Sequence, residues 1–264
     1  MLETTILLLA AAFAAGAQDN TLTAQEKKQG WVLLFDGKSL DRWVDPRHKN
    51  PPGDAWTIDA GAIKTLRRPR LTEDLFSKET YRDFELVFDW RISEGGNSGV
   101  KYRIQDHFWL APEIKGQRFE MQVNRSVEAP ITVRPAAGQD YVVGFEYQMT
   151  DDRKNLDSLS NPKHTAGALY DMAAPSAHPL KPAGEFNHSR IVVKGNHAEH
   201  WLNGEKVVDT ALDSAGAMEG INKRWSVAPK VLEMLARQPR KDCPISLQNH
   251  GDDAWFKNIK IRRL

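Results

Sequence analysis

Alternation of apolar and polar residues dominates this chain. From Phe84 to Ile92, the residues Phe84, Leu86, Phe88, Trp90 and Ile92 take every second position, which in an extended strand puts all five on one face. The same period runs through Gly99 to Gln105, Val143 to Met149 and Arg190 to Leu202, the last with a hairpin bend at Gly195-Asn196. Turn residues punctuate these runs. Asp36-Gly37 closes the short apolar run Trp31 to Phe35, and Asp59-Ala60-Gly61 separates Trp56-Thr57-Ile58 from Ala62-Ile63. Asn203-Gly204 joins His200-Trp201-Leu202 to Lys206-Val207-Val208, a strong hairpin signal because both residues accept positive φ. Ile245 to Gln248 and Trp255 to Ile261 supply the final strands. Helical periodicity is sparse. Thr23-Ala24-Gln25-Glu26 reads as a capping box within the polar segment 18–29, and Val231 to Leu235 reads as part of a surface helix within residues 214–240. Many short strands, few short helices and no βαβ alternation predict an all-β, two-sheet antiparallel sandwich. Residues 106–140, rich in proline and charge, break the strand spacing and read as a long excursion, a flap over one face of the sheet.

The 264 residues suffice for one all-β domain with a sizeable core, assigned to residues 30–264. Ahead of it, the apolar run Ile6 to Ala15 leads into Ala15-Gly16-Ala17, the small-x-small form of a signal-peptidase site. Residues 1–17 are therefore expected to be a signal peptide, although its start carries Glu3 and no Lys or Arg. The mature chain is expected to be periplasmic or secreted, with no membrane insertion after cleavage, since the run is shorter than the ~20 residues that span a bilayer. Cys243 is the sole cysteine, so no intramolecular disulfide contributes to stability. With 36 Lys and Arg against 35 Asp and Glu, the charges nearly cancel and no long-range field draws nucleic acid or anionic lipid. A neutral or weakly charged small ligand fits better, and eight tryptophans offer rings that stack on sugar faces as well as fill a core.

The alternation that defines the core also defines the opposite face. Lys101 and Arg103 lie opposite Val100, Tyr102 and Ile104; Glu146 and Gln148 lie on one face of Phe145 to Met149, with Asp151 just beyond; Ser246, Gln248 and His250 form a third set. His200 faces the same way as Leu202. If these strands are neighbours, one face carries two cations, a carboxylate, two amides and one or two histidines, the fixed donors and acceptors that a carbohydrate cleft needs. An ordinary solvated sheet face fits the same alternation equally well. Glu146, His200 and His250 are also donors of the kind a divalent cation takes, although no spacing matches an EF-hand loop or a two-histidine zinc helix. No Gly-x-Ser-x-Gly elbow, P-loop or dinucleotide fingerprint occurs, which disfavours serine hydrolases and nucleotide enzymes.

Several stretches, in order, resemble the 3-keto-disaccharide hydrolase domain family. They are Gly30 to Leu40 with Trp43, Tyr81 to Leu86, Gly95 to Val100, Phe145 to Gln148, Thr165 to Tyr170, Gly184 to Asn187, Glu199 to Gly204, Ile245 to Gly251 and Trp255 to Ile259. The long segment 106–140 departs from the family pattern. The resemblance implies a concanavalin A-like jelly roll acting, as hydrolase or lyase, on glycosides oxidised at C3. A ketone at C3 acidifies the C2 proton, so a base can form an enediolate, the C1 substituent can leave by elimination, and water can add afterwards. This chemistry needs a base near neutral pKa, a cation or donor for the enediolate oxygen, and an acid for the leaving group. His250 or His200 is expected as base, Lys101 and Arg103 as oxyanion stabilisers, and Glu146 as acid or metal ligand. Asn97, Gln148 and Gln248 are expected hydroxyl ligands, with Tyr170, Asp151 and Trp255 completing the substrate-binding set. A direct two-carboxylate glycosidase, with Asp151 as the second acid, is the rival mechanism. A non-catalytic carbohydrate-binding module is the rival function.

Overall fold

The computed structural model describes residues 18–47, 49, 53–112, 116–236 and 241–264. The expected signal peptide, residues 1–17, lies outside them. In chain order the strands are β1 (Val32–Leu33), β2 (Trp43–Val44), β3 (Trp56–Asp59), β4 (Ala62–Thr65), β5 (Leu71–Thr72), β6 (Leu75–Ser77), β7 (Phe84–Ile92), β8 (Asn97–Leu110), β9 (Gly138–Thr150), β10 (Asn187–Lys194), β11 (His197–Leu202), β12 (Glu205–Ala211), β13 (Ser246–Leu247) and β14 (Ala254–Arg263). The helices are α1 (Ala24–Lys28), α2 (Phe119–Glu128), α3 (Leu156–Ser160), α4 (Ala215–Trp225) and α5 (Pro229–Ala236).

Two sheets form the sandwich. The first has the order β12-β11-β10-β7-β14-β4-β3, with β1 also on β14, and the second the order β2-β6-β13-β8-β9-β5. Every pairing is antiparallel except β5 with β9. This is the two-sheet sandwich that alternation predicts, in the jelly-roll form that the family resemblance implies. All five residues of the β7 stripe are buried, facing Val100, Tyr102, Phe145, Tyr147 and Leu247 of the second sheet. Phe88 meets Tyr147 edge-on at 5.7 Å, and Phe84 meets Tyr102 at 6.1 Å. Each such buried ring contributes roughly 1.5–3 kcal/mol of hydrophobic stabilisation, and their polar tips are satisfied across the core. Trp90 Nε1 donates to Ser189 Oγ at 2.8 Å, and that hydroxyl also bonds the Tyr147 hydroxyl at 2.7 Å.

Local signals are realised closely. Thr23 caps α1, its side chain accepting from Glu26 N while the Glu26 carboxylate accepts from Thr23 N. Asn203 and Gly204 take φ values of 47° and 90° at the β11–β12 turn, as an Asn-Gly hairpin requires. The expected excursion over 106–140 is shorter, because β8 runs on to Leu110 and β9 begins at Gly138. The described residues between them, 111–112 and 116–137, lie outside the strands and carry α2. Its Phe119, Val123 and Val127 recur every four residues and pack on the core, a stripe too diluted by polar neighbours to stand out in the sequence. The region 214–240 holds two helices, α4 and α5, packed on each other rather than one surface helix.

Candidate functional site

The outer face of the second sheet is built in rows. Ser246 pairs with Lys101, and Lys101 with Glu146. In the next row Gln248 N donates to Gly99 O at 2.9 Å, and Gly99 pairs with Gln148. Asn97 opposes Thr150 in the row after. Far from forming a solvated face, this one is covered by α2, α4 and the segment leading from α3 to Asp171. The cleft left between them measures about 410 Å³. Asn97, Glu146, Gln148 and Gln248 line it from the sheet, Phe119, Glu120 and Arg224 from the helices, Asp157 and Tyr170 from the covering segment, and His250 from the rim.

Three features give this cavity its chemistry. The Gln148 and Gln248 Oε1 atoms are buried and accept no hydrogen bond from the described residues. A buried amide oxygen left so costs roughly 1–3 kcal/mol, which a ligand hydroxyl recovers. The Glu146 carboxylate lies along Gly99, where an added Cβ would come within 2.3 Å of its Oε1 and 3.0 Å of its Cδ. A side chain at this position would have to displace the Glu146 carboxylate. A Gly99→Ala chain is expected to fold and melt almost normally, because the clashing group is the mobile end of a side chain, yet to lose about tenfold or more of any turnover the cavity supports, because a displacement near 1 Å is costly where reacting groups must align. Thermal melts beside turnover assays check this; equal loss of both would mean that Gly99 serves packing alone.

The third feature is a closed polar circuit on one wall. His164 bonds Asp157 through Nδ1 at 2.8 Å and Asp171 through Nε2 at 2.7 Å. Arg224 Nη1 bonds the other Asp171 oxygen at 2.8 Å, while the Tyr170 hydroxyl donates to Asp157 Oδ2 at 2.9 Å. The Tyr170 ring is held between His164, stacked at 4.4 Å, and the Arg224 guanidinium 4.9 Å from its centroid. Gly220 makes this possible. An added Cβ there would lie 2.3 Å from Asp171 O, so glycine lets α4 approach the backbone, and Arg224, one helical turn on, reaches the cavity. Burial works against the His164 imidazolium, but the two carboxylates prevail and lift its pKa to about 9. Burial likewise opposes the Asp171 carboxylate, which the His164 bond and the Arg224 charge hold below the usual range.

The His164 shift makes stability depend on pH. Its folded pKa lies above the free value, so the stabilisation is complete below about pH 6.5 and disappears as pH rises through about 9. The full shift corresponds to at most about 3 kcal/mol. Urea melts of the chain and of His164→Gln are expected to differ most at pH 6 and least at pH 10. A gap independent of pH would show that the imidazolium charge contributes nothing.

The structure brings several of the residues singled out in the sequence to one cavity. Glu146, Gln148, Gln248, Asn97, Tyr170 and His250 all line the cavity. Others lie elsewhere. His200 is fully buried between the sheets, its ring 4.8 Å from that of Tyr147. Its Nδ1 donates to Gly167 O at 3.0 Å, so Nε2 accepts from the Tyr102 hydroxyl at 2.9 Å. Burial pushes its pKa down to about 4; it is a neutral core histidine without access to the cavity. Arg103 does not join Lys101, because the pairing of β8 with β9 slips between Tyr102 and Asp106 and Arg103 takes φ 52°. Its guanidinium instead donates to Gly195 O at 2.7 Å. Lys101 has the expected direction but lies beneath the cavity, 3.6 Å from Asp74 Oδ2 and 5.2 Å from the Tyr141 ring centroid. Burial opposes its charge, and Asp74 and Glu146 together raise its pKa. Burial also pushes Asp74 up to about 7. Trp255 belongs to β14 of the other sheet, where it bonds Asp59 at 2.8 Å and stacks with Arg91. Asp151 ties down a loop, accepting from Gly95 N at 2.8 Å and Arg153 N at 3.2 Å.

The metal-ligand set Glu146, His200 and His250 does not converge, since His200 faces the core. Among the described residues, the group with three ligating side chains close together is His197, Glu199 and Asp209 on the first sheet, where the Lys206 ammonium already pairs with both carboxylates. The cation that sequence reasoning missed is Arg224. Tyr141 and Gln139 were missed for a different reason. Odd-numbered Gln139 and Tyr141, which strand alternation sets opposite even-numbered Glu146 and Gln148, line the cavity with them beyond the slip in the β8–β9 pairing.

Residues 30–262 match the model of the 3-keto-alpha-glucoside-1,2-lyase-like domain. A 3-keto-disaccharide hydrolase of Bacteroides thetaiotaomicron is 28% identical over 262 residues, covering 94% of this chain and 83% of the relative. A protein of Parabacteroides distasonis assigned as a glycosyl hydrolase superposes with a TM-score of 0.70 at 27% identity, covering 94% of this chain and all of the other. A second from the same organism, also so assigned, gives 0.60 at 26% identity, covering 89% and 99%.

Proposed function

Because the chain belongs to the 3-keto-alpha-glucoside-1,2-lyase-like domain family, we propose that it is a carbohydrate-active hydrolase or lyase that cleaves glycosides already oxidised at C3. The observation that carries this reading is the pairing, in one cavity, of a carboxylate without a hydrogen-bond or ion-pair partner among the described residues, Glu146, with a cation fixed by its neighbours, Arg224. Glu146 takes the proton from C2. The electron pair left behind moves into the C2–C3 bond, and the ketone oxygen gains the negative charge that Arg224 and a tyrosine hydroxyl stabilise. When the charge returns to re-form the ketone, a C1–C2 double bond forms and the C1–O bond breaks. The departing oxygen receives a proton from His250 at the rim. Water added across C1 and C2 completes net hydrolysis. Gln148, Gln248 and Asn97 meet the sugar hydroxyls.

This assignment moves the base from histidine to Glu146, because His200 is enclosed in the core and His250 stands at the cavity mouth. The leader-like run at residues 1–17 supports placing the reaction in the periplasm or outside the cell. Incubation with 3-keto-glucosides and their unoxidised parents, followed by mass spectrometry, tests the reading. Product from the keto substrates alone, with solvent deuterium entering C2, is the expected result. Equal release from the parents would replace it with direct glycoside hydrolysis, and binding without product would replace it with a carbohydrate-binding module.

A further inference from the structure

Two tyrosines line the cleft with Glu146, and their hydroxyl protons are committed differently. The Tyr170 hydroxyl donates to Asp157 Oδ2 at 2.9 Å, so its proton is spent within the wall. The Tyr141 oxygen instead accepts from Arg224 Nη2 at 3.3 Å. A guanidinium only donates, and no acceptor for the Tyr141 proton occurs among the described residues. The ring itself is packed by Phe119, edge-on at 4.9 Å, by Trp225 at 5.9 Å and by the Lys101 ammonium 5.2 Å from its centroid. Its hydroxyl end is left to Arg224 and the cleft. Burial outweighs the cations Arg224 and Lys101 and raises the Tyr141 pKa, so the group is a phenol with a hydrogen to offer.

We propose that Tyr141 is the catalytic tyrosine, which donates its hydroxyl hydrogen bond to the ketone oxygen of the substrate with Arg224 directly behind it. The inference rests on the proposed reaction for the identity of that oxygen. Arg224 and Tyr141 then act in series. A hydroxyl that accepts a bond from a cation is polarised and becomes the stronger donor, so part of the guanidinium charge reaches the substrate through the phenol. No proton changes hands, because the phenol keeps its hydrogen while the oxygen opposite it gains charge as the C2 proton leaves. A donor already aimed at that oxygen costs no reorganisation at the moment of reaction. Tyr170 has a different task. With its proton on Asp157 and its ring between His164 and Arg224, it braces the cation.

Tyr141→Phe removes the hydroxyl and keeps the ring against Phe119 and Trp225. It is expected to lower kcat for a 3-keto-glucoside about 10²-fold, as loss of one oxyanion donor does, with a smaller change in KM. Tyr170→Phe is expected to cost less in kcat. Added to Arg224→Met, Tyr141→Phe is expected to cost less than it does alone, because donors in series are not additive. Binding supplies a readout that needs no turnover. In a Glu146→Gln chain holding a 3-keto-glucoside isotopically labelled at the ketone carbon, the carbonyl stretching band is expected at lower frequency than in the same chain that also carries Tyr141→Phe. A Tyr141→Phe chain with unchanged kcat, a larger kcat loss in Tyr170→Phe, or a carbonyl band indifferent to Tyr141 would overturn the donor and leave the reaction standing. A band that depends on Tyr141, in a protein that converts no 3-keto compound, would keep the donor and remove the reaction. Failure to bind the ketone at all would overturn both.

Discussion

A Glu146→Gln chain is expected to bind a 3-keto-glycoside and to convert it about 10²- to 10⁴-fold more slowly, the range typical of a lost general base. The substitution preserves shape and removes only the basic oxygen. The Glu146 carboxylate has no hydrogen-bond partner among the described residues, and its backbone remains paired with Lys101 on β8, so the fold has little reason to change. Removing its charge does affect the layer beneath. Lys101 loses one of the two carboxylates that raise its pKa and keeps Asp74. The measurement is kcat and KM for one 3-keto-glucoside, with C2 deuterium exchange followed separately. Loss of exchange and cleavage together identifies Glu146 as the group that removes the C2 proton. Exchange at the normal rate with cleavage lost would instead make it the acid that serves the leaving group.

Replacing Arg224 by Met is expected to lower kcat by about 10²- to 10³-fold with a smaller change in KM, because in the proposed reaction charge appears on the substrate oxygen only as the C2 proton leaves. Arg224→Lys retains the charge without the planar fork that spans Asp171 and the Tyr141 hydroxyl, and an intermediate rate is expected. The Met variant also leaves Asp171 with His164 as its remaining ionic partner, which costs on the order of 1–3 kcal/mol of stability. Assays are therefore compared at a temperature where both chains are folded, as judged by circular dichroism. An Arg224→Met chain with unchanged kcat would remove this residue from the mechanism and leave Tyr141 and Tyr170 as the donors to consider.

The two substitutions probe features read in different ways. Glu146 was visible in the sequence because β9 alternates without interruption from Phe145 to Met149, and two-residue periodicity is a local property of extended backbone. Gln148 and Gln248 were visible for the same reason. The β7 stripe, the Asn203-Gly204 turn and the Thr23 capping box likewise depend only on neighbours along the chain. These local rules were enough for the sandwich, its inner face and the polar floor of the cavity.

Arg224 was not visible in this way, because its relation to Glu146 depends on α4 lying across the sheet, and that placement depends on Gly220 meeting the backbone of Asp171. His200 illustrates the converse. Its direction along β11 was read correctly as that of Leu202, but that face is the core, and only the opposing Tyr102 and Tyr147 of the second sheet make it a neutral structural imidazole. Arg103 follows alternation until two extra residues of β8 fall between the pairings of Tyr102 and Asp106, a slip that local periodicity does not encode. The sequence by itself determined which residues could share a strand face, because that follows from backbone geometry over a few residues. Tertiary structure decided which face is covered, which cation reaches it and which histidine is sealed from it, because those depend on packing between segments distant along the chain.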